Sequence, residues 1–346
     1  MPLGYHTLLL AETGLVAFGL NSDGQLGLGH KGSSETLSEV PWVGPRPTQL
    51  DWGLLHSLVL DVEGGVWETG RVRSPFDSIL TFQKVNELPP ITQLAAGYQH
   101  SAALDMNGGL WVWTSKSSLE WASHVPSLVK GFPPLQSIVC GEDFLIGEAF
   151  GGAVWGIGAN SAGQLGLGHT DFILQPILVP TVGLPDGGLI GMAANSEAIF
   201  LIDHQGSIWS AGSNIYGQLG RTGDSSVLQR ISGIASARMI SGGVTHVLAV
   251  DETDVTWVWG YGGQGQLGVG GTYNHPKPVR LEIEDPLRSV LAVGHHSLIF
   301  TADGGLIVFG WNEYGQLGLG EEKCSKDVPT RSSIRLSSFR QKSARS

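Results

Sequence analysis

The sequence predicts an all-β protein, a seven-bladed β-propeller in which small antiparallel sheets stand radially around one axis. Three observations carry this: a unit that recurs about every 48 residues, a hairpin signal inside each unit, and 51 glycines among 346 residues with only 15% charged residues. Glycine at about twice its usual ~7% and charge well under the usual ~25% are the composition of many short strands joined by tight turns.

The recurring unit is legible in chain order. Each begins at a glycine or its replacement, near Gly4, Gly53, Gly97, Gly141, Asn195, Gly243 and Gly294. A short apolar strand follows, opening with His6, His56, His100, Phe144, Ala198, His246 and His296 in turn. Turn signals such as Glu63-Gly64, Asn107-Gly108, Gln205-Gly206 and Asp303-Gly304 come next, where glycine supplies positive φ at little steric cost and a two-residue hairpin turn is expected. The strand after the turn carries tryptophan, and alternation sets Trp111 with Trp113, and Trp257 with Trp259, on one face. Then comes a glycine-rich loop whose Gly-Gln-Leu-Gly core starts at Gly24, Gly163, Gly217, Gly265 and Gly315. A hairpin cannot bury both its faces alone, and radial stacking of seven such units solves that problem. One propeller over residues 1–340 and a short basic tail over 341–346 are the expected organisation.

Two departures from the repeat point to function and closure. Repeats two and three lose the Gly-Gln-Leu-Gly loop together, which marks Phe76, Phe82, Trp121 and Phe132 as candidate anchors for a partner. Repeat one lacks the short strand that precedes the glycine in the other six. The segment SSIRLSSFR near the C-terminus matches it in length and apolar spacing, so Ile334 and Leu336 are expected to complete the first blade and close the ring.

Charge and composition exclude several classes. Residues 323–346 carry seven basic side chains and one acidic, whereas residues 1–322 hold 13 basic and 30 acidic, a body of −17 that repels phosphate backbones. Direct nucleic-acid binding is therefore not expected. Two cysteines, Cys140 and Cys324, without metal-ligand spacing indicate a reducing compartment, cytoplasmic or nuclear. The opening MPLGYHTLLL lacks a basic signal-peptide start, and no run of 18 apolar residues occurs, so neither secretion nor membrane insertion is expected. Histidines that recur once per unit are held apart by the units themselves, which argues for structural roles over metal binding. The Gly-Gln-Leu-Gly loops lack the lysine of a phosphate-binding loop, and no cofactor is called for.

The ordered combination of G-x-x-H-S, V-W-x-W-G, N-x-x-G-Q-L-G and a later proline resembles the RCC1 family, named for the regulator of chromosome condensation. The resemblance runs from residue 3 to about 340. It implies a monomeric, non-catalytic binding platform whose partner is another protein, a subunit of an assembly or a small GTPase. The alternative it implies is a guanine-nucleotide exchange factor. A light-sensing plant member of the family carries tryptophan just after the repeat glycine. Here those slots hold Tyr5, Leu54, Tyr98, Glu142, Ser196, Val244 and His295, so the eleven tryptophans read as packing residues.

Overall fold

The computed structural model describes residues 4–11, 14–116, 119–320 and 323–335, and among them no helix occurs. Seven antiparallel sheets follow one another along the chain. The first has three strands, His6–Ala11, Gly14–Gly19 and Ser34–Glu39, among the described residues. The second shows the full pattern: Pro47–Trp52, His56–Asp61, Val66–Gly70 and Ile79–Lys84, paired in that order. The first strands of successive four-stranded sheets pack on one another, so they line the axis, and the fourth strands form the rim. Burial follows suit: Ile91–Ala96 is largely buried, whereas the rim strand Ser34–Glu39 is half to fully exposed.

Between the strands that open with the histidine slot and the strands that follow them, blades two to six make a four-residue loop in place of the two-residue turn expected, whereas Ala11 pairs with Gly14 across two residues in blade one. In the second blade the Asp61 N–H donates to the Gly65 carbonyl, and only Gly64 takes positive φ (80°). The aspartate holds the loop. Asp61 Oδ1 accepts from the N–H groups of Glu63 and Gly65, and Oδ2 accepts from the Trp67 indole at 2.8 Å. Trp111, Trp209 and Trp257 donate in the same way to Asp105, Asp203 and Asp251. Trp113 and Trp259 are fully buried between blades, bonded to Glu68 and to the Gln218 carbonyl. These six tryptophans are thus packing residues with a polar handle satisfied.

In the five blades that keep it, the glycine-rich loop clamps the blade to the next. In the first, Asn21 Oδ1 accepts from the Leu26 N–H, Gln25 Oε1 accepts from the Asp23 N–H, and Leu26 is completely buried. The leading glycine lies flat on the following blade's rim strand or on the residues just before it. A Cβ at Gly163 would sit 2.5 Å from Ser226 Cα, one at Gly217 2.3 Å from Pro276 Cα, and one at Gly315 2.4 Å from Glu35 Cα. The last of these joins blade seven to blade one.

The closing segment departs from expectation. Lys326–Arg335 is the rim strand of the seventh blade, pairing Val308 with Thr330 and Gly305 with Arg335, so residues 332–335 do not supply an inner strand to blade one. The apolar spacing there reflects continuation of the rim strand. Ile334 is nonetheless buried, in a cluster that joins Leu298 and Val308 of blade seven to Leu8 and Phe18 of blade one. Leu336 lies outside the described residues.

Candidate binding face

The second strand of every blade runs away from one face of the ring and the third strand returns to it. The turns between first and second strands, and the loops after third strands, therefore share that face. In all seven blades they are tied together: the N–H groups of Leu20, Arg71, Ser115, Ala159, Ser213, Tyr261 and Trp311 donate to the carbonyls of Tyr5, Leu55, Gln99, Asp143, Glu197, Thr245 and His295. Neighbouring turns are also linked around the opening. Leu54 donates to Tyr98, Tyr98 to Glu142, Glu142 to Ser196, Ser196 to Val244, and Val244 to Gly294, all backbone to backbone. Such a rim of paired backbone groups makes a rigid support for side chains.

Beneath it lie the recurrent histidines. His6 Nε2 meets Ser57 Oγ at 2.8 Å, His56 meets Ser101 at 3.0 Å, His246 meets Ser297 at 2.9 Å, and His296 meets Thr7 at 3.0 Å. Each bond crosses to the next blade, and the last crosses the seam. Ser57, Ser297 and Thr7 donate their own hydrogens to the carbonyls of Gln25, Gln266 and Gln316. The hydroxyl must therefore accept from the imidazole, which fixes the neutral tautomer with its hydrogen on Nε2. The preceding glycine makes room: a Cβ at Gly53 or Gly243 would fall 2.4 or 2.3 Å from the ring of its histidine. Where the hydroxyl is missing the histidine is missing too, as Phe144 precedes Ile199 and Ala198 precedes Val247. His100 is the exception. It precedes Leu145, and neither of its ring nitrogens has a partner among the described residues. Burial pushes His56, His100 and His296 down to about 3, and His6 and His246 well below the usual range.

The face itself carries a continuous run of rings that the repeat pattern did not reveal. Tyr216 lies 4.9 Å from Tyr261, Tyr261 is 5.9 Å from His295, and His295 is 5.8 Å from Tyr5 and 6.3 Å from Trp311. Trp311 makes edge contacts with Tyr5 at 4.9 Å and Tyr314 at 5.3 Å. All six are partly exposed. They come from blades five, six, seven and one, on loops that the clamps and latches hold.

The four anchors read from the sequence are not gathered into one site. Phe76 is 89% exposed in the loop after Val66–Gly70. Phe82 is 6% exposed on the rim strand of blade two, edge-on to Trp42 and against Gly27, so it is a packing residue and cannot be an anchor. Losing the loop consensus did not free this strand, because it still covers the glycine-rich loop of blade one. Trp121 and Phe132 are half-buried against the apolar cluster between blades three and four, Trp121 edge-on to His100 at 5.1 Å. Replacing Phe82 with alanine should cost about 3–5 kcal/mol in urea unfolding, whereas Phe76→Ala should stay within about 0.5 kcal/mol. Equal costs would show that one of these two placements is wrong.

Among the described residues no group of three histidine, cysteine, aspartate or glutamate side chains could hold a metal ion. Cys140 is buried, its thiol pushed up by desolvation, and Cys324 is exposed.

Comparison with known proteins agrees with this architecture. The model of the regulator of chromosome condensation (RCC1) repeat matches residues 205–250, 255–300 and 303–343. The chain is 31% identical over 201 residues to the ultraviolet-B receptor UVR8 of Arabidopsis thaliana, covering 55% of this chain and 45% of that protein. It is 27% identical over 174 residues to the protein RCC2 homolog of Danio rerio, covering 41% and 34%. These alignments span less than half the length of either relative. Human WBSCR16 superposes with a TM-score of 0.82 at 19% identity, over 92% of this chain and 93% of that one. Prp20p from Saccharomyces cerevisiae gives 0.81 at 21%, over 91% and 85%. Likeness at that identity establishes the fold. The chain thus carries RCC1 repeats over residues 205–343 and folds as a seven-bladed propeller of the kind seen in its RCC1-type structural relatives.

Proposed function

We propose that this propeller is a protein-binding platform and that the face bearing the aromatic run is its working surface. The observation that carries the reading is the continuity of six partly exposed rings across four blades, on loops fixed by backbone hydrogen bonds. Tyrosine and tryptophan supply large contact areas at small entropic cost, and contiguous exposed rings are typical of interaction hot spots. The curated and structural relatives fit such a use. Prp20p is described by its binding to Gsp1p and histones, and yeast RCC1 has been crystallised with Kap60.

A photo-reactive residue placed at Tyr314, in the native cell, tests this. A discrete protein adduct is expected from Tyr314 and none from Met106, which is 70% exposed on a hairpin tip at the opposite face. Adducts from Met106 alone would move the platform to the other face. The Prp20p resemblance favours a second reading, exchange of nucleotide on a small GTPase. It requires that the captured protein be a GTPase and that the propeller speed its nucleotide release.

A further inference from the structure

The inference here rests on the platform reading and names the chemistry of what the platform holds. Side chains around the mouth of the ring divide into two arcs. The aromatic arc is that described above. The other, on blades three to five, presents Glu142, Asp143 and Glu197, with Lys116 paired to Asp143. Glu197 is exposed and Glu142 half-buried. Burial raises the Glu142 carboxyl above the ordinary range, the charges of Asp143 and Glu197 push the same way, and Lys116 only partly opposes them. Three carboxylates thus share one lysine at the mouth.

The two arcs meet. The chain of backbone bonds around the opening runs from Tyr98 through Glu142, Ser196 and Val244 to Gly294, the residue before His295, and the Glu142 carboxylate raises the Tyr98 phenol further above its ordinary range after burial. A purely apolar ligand would cover the rings but leave the carboxylates desolvated without a counter-charge, which is costly. An anionic ligand would be repelled by them and by the −17 body. A guanidinium or ammonium group satisfies both arcs, since its charge meets the carboxylates while its plane or stem lies on tyrosine and tryptophan.

We propose that the mouth of the ring takes an arginine- or lysine-bearing segment of a partner protein, the cations set against Glu142 and Glu197 and covered by Tyr5, Tyr261 and Trp311. The aromatic run gives the contact area and the carboxylates select the charge.

The test uses the full chain and a fluorescein-labelled hexaarginine peptide, with hexaglutamate as its opposite, followed by anisotropy over a range of salt. Saturable binding of hexaarginine alone is expected, weakened at least tenfold by the isosteric double variant Glu142→Gln/Glu197→Gln and by Trp311→Ala. Glu63→Gln/Glu252→Gln, at exposed hairpin tips of the opposite face, should change it less than twofold. Equal weakening by both carboxylate pairs would mean diffuse attraction to an acidic body and would overturn the proposal. So would the absence of saturable binding, or an effect of the mouth pair below threefold. Should Trp311→Ala misfold, the glutamine pair decides. A protein captured from Tyr314 through a segment without arginine or lysine would overturn this inference while leaving the platform reading intact.

Discussion

Lowering the pH from 7 to 5 is expected to unfold the ring. His6, His56, His100, His246 and His296 are buried and neutral, with pKa values depressed below the usual 6.5 and, for three of them, to about 3. The unfolded chain therefore binds protons that the folded one refuses. Stability is complete above about pH 6.5 and declines as pH falls from there toward the folded values. A histidine shifted this far costs about 2 kcal/mol at pH 5, and five together approach the ~5–15 kcal/mol that holds a typical domain. Thermal melts at half-unit steps of pH should show the midpoint falling steeply below 6.5. A flat profile down to pH 4.5 would show that these rings find counter-charges when protonated. His100→Phe provides an internal control. It copies blade four, where Phe144 occupies the slot, and removes an imidazole whose two nitrogens are unpartnered among the described residues. It should raise stability at pH 7 by about 1–2 kcal/mol and flatten the acid limb by one histidine's share. A loss of stability at pH 7 would mean that His100 has a partner in the folded ring.

Removing residues 329–346 is expected to open the seam. The cut takes away Thr330 and Arg331, which pair with Val308 and Ile307, and also Ile334 from the cluster between blades seven and one. Loss of the buried isoleucine alone costs about 2–5 kcal/mol, and the exposed edge of Gly305–Gly310 becomes free to pair with other chains. A fall in Tm of about 10 °C or more, with aggregation, is the expected result. Truncation after Phe339 keeps Ile334 and should leave Tm within about 2 °C. Equal melting of the full chain and the shorter truncation would show that the rim strand plays no part in holding the ring shut.

Much of this architecture is legible in the sequence, and the limits have physical causes. The histidine and glycine-rich segments recur because each makes the same contact to the next blade, so period alone finds them. The hydroxyl that completes each latch was equally visible, one residue after the histidine of the following unit, once neighbouring units are compared as pairs. Phe82 misled because the missing loop beside it suggested freedom, while the alternation in ILTFQK still turns it inward. Ile334 was expected to close the ring as part of an inner strand of blade one, and apolar spacing and length could not tell that return to the axis from continuation of a rim strand. The aromatic run had no local signature at all. Tyr5 and Trp311 are some three hundred positions apart, and only closure of the ring brings them edge to edge.

On the proposed function, one face of the ring binds and the other does not. Hydrogen exchange of the chain, alone and saturated with the protein captured from Tyr314, reads both faces at once. Binding at the proposed face should slow exchange in residues 213–220, 261–268 and 311–318, and leave the hairpin tips at 62–65, 106–109 and 150–153 unchanged. Protection at those tips with none in the three loops would place binding on the opposite face.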